Sequence, residues 1–234
     1  EELKRPLIGI ANSYTNLFPG HVNEDRIARA VAEGIYMAGG TPIEFNTIAV
    51  CDGIVMGHEG MRYSLPSREL IADSVETMVR AHCLDGVVLI ASCDKIVPGM
   101  LKAAARLNLP AIVVGSGPML PGRFRGKSIS GVDMEETTAE LAADEKNWPE
   151  ILEMENCTQL SCGSCPGLFT ANSMGCMAEV MGMALPGNGT IPAPYAARIR
   201  LAKQTGVAIM DLVQKNITAR QIITKQSLEN AVRL

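Results

Sequence analysis

The chain has 234 residues, 47% of them hydrophobic and 20% charged, enough for one large α/β domain or one domain with an appendage. A formal net charge of -4, no basic tract and only 4% aromatic residues set nucleic acid aside as the main partner. No apolar run approaches the roughly eighteen residues that a membrane span needs, and no signal peptide is seen, so a cytoplasmic location is expected.

Residues 7–11 read as a first strand, ending in Asn12-Ser13. After the turn Phe18-Pro19-Gly20, the residues Ile27, Ala28, Val31, Ala32 and Ile35 follow a helical period, and Gly39-Gly40 closes that helix. A second strand within 42–50 delivers Cys51-Asp52. Ser67 precedes a helix over about 68–82, with Glu69 in its first turn, where an acid is favourable, and His82 at its end, where a cation is. The unbroken apolar run over 86–92 is that of a strand covered on both faces, and it delivers Cys93-Asp94-Lys95. Pro98 opens the next helix, and 111–115 form the next strand.

Strands and helices alternating through short connections imply an α/β fold with a doubly wound, mostly parallel sheet flanked by helices. Residues 116–131, rich in Gly, Pro and basic side chains, read as loop, and 135–148 as a surface helix or a mobile segment. Past Cys165 the pattern is helical: 169–185, with its methionines from Met174 to Met183 in the core, then 194–215, then a shorter piece from Thr218. The loop Pro186-Gly187-Asn188-Gly189-Thr190 between the first two reads as a helix–helix turn more readily than as an anion site. We expect an α/β metal-site core over 1–132, then a cysteine-rich turn and helical segment of the same domain over 133–234. The absent initiator methionine, and a helix over 227–234 that ends in mid-course, suggest a fragment or a processed product.

Nine residues occur twice, Ala49-Val50-Cys51-Asp52-Gly53-Ile54-Val55-Met56-Gly57 and Ala91-Ser92-Cys93-Asp94-Lys95-Ile96-Val97-Pro98-Gly99, identical at six positions. Each copy follows an apolar run that reads as a buried strand, and ligands bind beyond the carboxyl ends of strands in open α/β sheets. Two thiol-and-carboxylate pairs on one rim look like a metal site, because thiolates suit iron or zinc and carboxylates suit magnesium or manganese. Two βα turns that share residues are the plainer alternative. Of seven cysteines, Cys83 and Cys176 read as packing residues, while Cys51, Cys93, Cys157, Cys162 and Cys165 lie in or beside Gly-, Ser- or Asp-rich turns. Cys157, Cys162 and Cys165 have the spacing of three ligands of a plant-type [2Fe–2S] centre, to which Cys51 or Cys93 could add a fourth, and a four-thiolate zinc knot is the rival. Lys95 could be a surface ion pair, a desolvated neutral base, or a carbamylated lysine offering oxygen to a hard cation. His58, in a Gly57-to-Gly60 turn, could touch substrate or simply complete its turn, and His21 is a weaker candidate of the same kind.

The blocks Phe45 to Ile54 with Met56-Gly57-His58-Glu59-Gly60-Met61, Tyr63 to Ser74, Cys93 to Met100, Cys162-Gly163-Ser164-Cys165 with Phe169 to Met174, and Leu185 to Gly189 together resemble the dihydroxy-acid dehydratase / 6-phosphogluconate dehydratase family. The stretches 65–74 and 96–100 look most like its dihydroxy-acid dehydratases. The resemblance implies an iron–sulfur hydro-lyase of branched-chain amino acid synthesis, which removes water from a 2,3-dihydroxy acid to give a 2-oxo acid. It implies that Cys93 and Cys165 bind the cluster, [2Fe–2S] or [4Fe–4S], and that Asp52, Asp94 and a carbamylated Lys95 bind Mg2+; the candidates for a catalytic role are Lys95 and His58. Some relatives take a cluster cysteine from the loop after the first strand, but Phe18-Pro19-Gly20-His21 holds none, and Cys51 is the natural replacement. Cys157 and Cys162 then become bystanders, against the ferredoxin spacing. The family's C-terminal domain, which should supply a serine base and another magnesium ligand, is expected to be missing, and the family generally forms homo-oligomers. A sugar-acid dehydratase of the same family and a zinc-stabilised structural domain are the alternatives.

Overall fold

The computed structural model describes residues 2–141 and 143–233. Its centre is a four-stranded, all-parallel sheet of β1 (Leu7–Asn12), β2 (Thr41–Asn46), β3 (Gly86–Ile90) and β4 (Ala111–Val114), in the order β2-β1-β3-β4. The first crossover helix is α1 (Glu24–Met37), which opens on Glu24 and Asp25 and ends before Gly39, whose φ of +87° only glycine adopts readily. The chain then passes α2 (Asp52–Val55), a 3-10 turn over Glu59–Tyr63, and α3 (Ser64–Ala81). Beyond β3 it forms α4 (Ile96–Leu107) and, after β4, a hairpin of β5 (Gly122–Phe124) and β6 (Lys127–Ile129). The remainder is helical: α5 (Gly131–Leu141), α6 (Trp148–Thr158), α7 (Thr170–Val180), α8 (Ala196–Gln214), α9 (Ala219–Ile222) and α10 (Lys225–Arg233).

Side chains alternate along each strand and so feed two separate cores. Ile8, Ile10, Val88, Ile90, Ile112 and Val114 meet Ile27, Val31 and Ile35 of α1 and Ala202 and Ile209 of α8. Ala11, Val87, Leu89, Ala111 and Val113 meet Ile71 and Val75 of α3, Met100 and Ala104 of α4, and Ala178 of α7. β3 and β4 are buried at every residue, as their unbroken apolar sequences require. The α/β class and the parallel sheet flanked by helices agree with the sequence reading.

Several local expectations need correction. Residues 116–131 are not all loop, because Arg125 and Gly126 both take positive φ and close the β5–β6 hairpin. Cys157 sits in the last turn of α6 rather than in a Gly- or Ser-rich turn. Cys83 is exposed at φ 53° just past α3, so it does not pack. The two copies of the repeat are not equivalent: β2 is an edge strand, largely uncovered, and ends at Asn46, whereas β3 is buried and ends three residues before Cys93. The helix expected from 68 begins at Ser64, and the one expected to open on Pro98 begins at Ile96, which puts the proline inside the first turn, where no intrahelical N–H is needed. The long helix expected over 169–185 stops at Val180, and Leu234, within the last helix read from the sequence, lies outside the described residues.

Candidate functional site

Strand order reverses between β1 and β3: β2 lies on one side of β1, and the chain then crosses to β3 on the other. The crevice beyond the carboxyl ends of such a pair is where α/β sheets bind ligands. Cys93, Asp94 and Lys95 follow β3 directly, and Cys51 and Asp52 reach the same rim along an extended segment after β2.

Asp52 is the first residue of α2 and is buried. One of its oxygens lies 2.5 Å from Lys95 Nζ, and the other accepts a 2.7 Å hydrogen bond from the Ser64 hydroxyl. Asp94 is half-buried. Burial and then the Asp52 charge push its carboxyl above the usual aspartate range, against the opposing pull of Lys95 and of a hydrogen bond from the Thr170 side chain. Two carboxylates that repel each other beside one ammonium form a place where a divalent cation gains most.

Sulfur lies beside this oxygen cluster. Cys51 stands at the amino end of α2. A hydrogen bond from the Cys93 thiol lowers its pKa to about 6; burial opposes the shift, while the amides of Ile54 and Gly53 and the charge of His21 support it. Cys93 is pushed the other way by the same pairing and by burial. Cys165 is raised by burial and by the charges of Cys51 and Asp94, so all three sulfurs and Asp94 share one electrostatic neighbourhood. The Cys165 turn is tied into the rim by backbone bonds from Ser164 N to Gly117 O (3.0 Å) and from Gly163 N to Pro19 O (2.9 Å). Gly163 has φ +118°, and a Cβ there would stand 2.6 Å from Gly117 O, so this contact requires glycine. Asn172 on α7 locks the turn from below, its amide donating to the carbonyls of Cys165 (2.6 Å) and Gly167 (2.5 Å).

The structure therefore brings Cys51, Asp52, Cys93, Asp94, Lys95 and Cys165 to one rim. His58 is exposed and completes its own turn: Nδ1 accepts from Gly60 N at 3.0 Å, and Nε2 lies 3.3 Å from Ile54 O. Ser64, Thr170 and Asn172 were not singled out in the sequence as site residues. They stand in stretches quoted for the resemblance, but no spacing rule marks which serine or asparagine there turns toward the rim. Buried behind it is a couple of His21 and Glu24, in which Glu24 and the Ser13 carbonyl outweigh burial and raise the imidazole above its ordinary pKa.

Among the described residues, no group of three or more His, Cys, Asp or Glu side chains stands so placed that it could hold a metal ion. The donor types at the rim nevertheless fall into two kinds. Three sulfurs suit an iron–sulfur group, and two carboxylate side chains with a lysine amine that carbamylation would convert to an oxygen donor suit magnesium.

This is an α/β domain whose switch-point rim carries paired thiols and carboxylates. The chain belongs to the dihydroxy-acid/6-phosphogluconate dehydratase N-terminal family, whose sequence pattern it matches over residues 5–234. It is 58% identical over 232 residues to a dihydroxy-acid dehydratase of Halothermothrix orenii, covering 99% of this chain and 42% of that protein. It is 56% identical to one of Pyrococcus furiosus over the same shares. A protein of the same name from Clostridium pasteurianum is 53% identical, with 99% of this chain and 81% of that sequence covered. The chain thus spans about two fifths of the length of the first two relatives. Among the described residues, no helix is long and apolar enough to cross a membrane.

Proposed function

We propose that this chain is the cluster- and magnesium-binding part of a dehydratase that converts 2,3-dihydroxy-3-methyl acids to 2-oxo acids in branched-chain amino acid biosynthesis. The observation that supports it most is the meeting of Asp52, Asp94 and Lys95 with Cys51, Cys93 and Cys165 beyond β1 and β3. In this reading Cys51, Cys93 and Cys165 hold an iron–sulfur cluster, [2Fe–2S] or [4Fe–4S], while Asp52, Asp94 and a carbamylated Lys95 hold Mg2+. When bound, the cluster supplies a Lewis acid for the departing hydroxide, and magnesium binds the substrate's carboxylate and hydroxyl oxygens.

The chain's own residues do the rest. Ser64 orients the Asp52 carboxylate through its hydroxyl. Lys95, unmodified and as its ammonium, neutralises Asp52. Carbamylation would turn that cation into an anion beside two carboxylates, so the modified form is stable only with a divalent cation to offset it. In this reading His58, exposed in the turn after α2, offers a ring nitrogen to substrate if its turn contacts yield. Proton abstraction falls to a base outside these residues, supplied by the C-terminal part that the longer relatives possess. The whole protein is read as a cytoplasmic homo-oligomer.

The test is substrate choice. A protein extended to the length of the relatives should dehydrate 2,3-dihydroxyisovalerate, while the 234-residue chain alone should not turn over. Preference for a gluconate-type acid would move the assignment to a sugar-acid dehydratase, and full activity of the short chain would refute the division of labour.

A further inference from the structure

His21 lies in the loop between β1 and α1 and is completely buried, as is Glu24 one helical turn on. Its Nδ1 stands 2.8 Å from the Ser13 carbonyl and 3.0 Å from Glu24 Oε2. A carbonyl can only accept, so Nδ1 carries a proton. The Glu24 carboxylate also meets the Ser13 hydroxyl at 2.9 Å and the Ser116 hydroxyl at 2.8 Å. A carboxylate sealed this completely needs a countercharge, and the imidazolium is the one beside it. The other ring nitrogen, Nε2, is buried without any hydrogen-bond partner, although nearly all buried polar atoms have one.

The loop that carries His21 is tied to the elements that bear the thiols. The Phe18 ring closes one side of the imidazole, edge-on at 4.8 Å between centroids. The loop is bonded to the Cys165 turn through Gly163 N and Pro19 O. Ser13 Oγ stands 2.8 Å from Ile90 O, at the end of the strand that leads to Cys93. An imidazolium whose Nδ1–H is taken by a carboxylate and a carbonyl still has a proton to give at Nε2.

We propose that His21 is a positioning residue of the thiol-bound group: held by Glu24 and Ser13, it directs Nε2–H as a hydrogen-bond donor to the sulfur side of what Cys51, Cys93 and Cys165 bind. This rests on the reading of those three cysteines as cluster ligands. A cationic donor next to an anionic cluster favours the added electron, so His21 raises the reduction potential.

The chain has three histidines, and the His58→Gln/His82→Gln double variant leaves His21 alone. We expect the reduced cluster of that variant, labelled with 15N-histidine, to give a weak nitrogen coupling in pulsed electron paramagnetic resonance. The coupling should disappear in His21→Gln, and the cluster potential should fall. A cluster with no histidine coupling, or one with the large coupling of nitrogen bound directly to iron, overturns the donor role; so does an unchanged potential in His21→Gln. Should His21→Gln fail to fold, the labelled double variant decides alone. A protein that binds no iron and sulfide overturns the functional reading and this inference together, whereas a loaded cluster without the histidine coupling overturns this inference alone.

Discussion

Lys95 Nζ lies 2.5 Å from Asp52 Oδ2, joining residues 43 positions apart and setting the second copy of the repeated segment against the first. The contact is partly buried on the lysine side and almost fully on the aspartate side, so it is stronger than a surface pair and it fixes the oxygen half of the rim. Asp94 beside it is held above the usual aspartate range, first by burial and then by the Asp52 charge.

Ser64→Ala removes the hydroxyl that holds Asp52 Oδ1 without touching the ion pair. Magnesium affinity should weaken by about 10- to 100-fold, the usual effect of losing a bond that orients a metal ligand. Isothermal titration with Mg2+ checks this, and an unchanged affinity would mean that Asp52 needs no such support.

Cys51 should be the most reactive thiol of the metal-free protein. With its pKa near 6, its thiolate fraction rises as pH passes through that value and is nearly complete at pH 8, while Cys93 and Cys165 stay protonated. Iodoacetamide labelling followed by peptide mass mapping from pH 5 to 8 should show Cys51 modified first, with a midpoint near 6. Prior labelling of Cys165 would contradict the assignment.

Arg198 is wholly buried and donates to the carbonyls of Gly115 (3.2 Å), Asn188 (2.8 Å) and Ile191. Burial lowers its pKa to about 10 despite Glu179, so it remains charged at neutral pH. Arg198→Ala should cost about 3 kcal/mol in chemical denaturation, because several buried acceptors lose their donor. Arg198→Lys should restore little, since one ammonium cannot span the same fork of acceptors.

Gly34 of α1 crosses α8 at Gly206. A Cβ on Gly34 would lie 2.1 Å from Lys203 O, and one on Gly206 would lie 2.1 Å from Val31 O. Alanine normally gains about 1 kcal/mol over glycine inside a helix. Here the clash is with backbone and outweighs that gain, so Gly34→Ala should destabilise by about 2 kcal/mol, readable as a lower Tm.

What could be read from residues alone follows from range. The strands were legible because 86–90 and 111–114 are continuous apolar runs, and a buried parallel strand has few other ways to look. Cys93-Asp94-Lys95 was legible because it sits at the end of such a run. The helix carrying Cys157 was hidden, since Trp148–Thr158 buries only Ile151, Met154 and Thr158 and so presents a thin apolar stripe. The β5–β6 hairpin has strands of three residues, too short to show an alternation. The partners of Asp52 and Glu24 are fixed by tertiary contact: Ser64 and Lys95 for the first, and Ser13, His21 and Ser116 for the second. Glu24 and Ser116 are 92 positions apart, and no local pattern links them.

The central claim is that the three sulfurs of the rim bind iron and sulfide. The most direct measurement is metal and acid-labile sulfide analysis, with a visible absorption spectrum, of protein purified without oxygen and compared with the Cys93→Ser variant. The account predicts a brown protein with iron and sulfide in comparable amounts, and loss of both in the variant. A colourless protein holding zinc, or a brown one unaffected by Cys93→Ser, would contradict it.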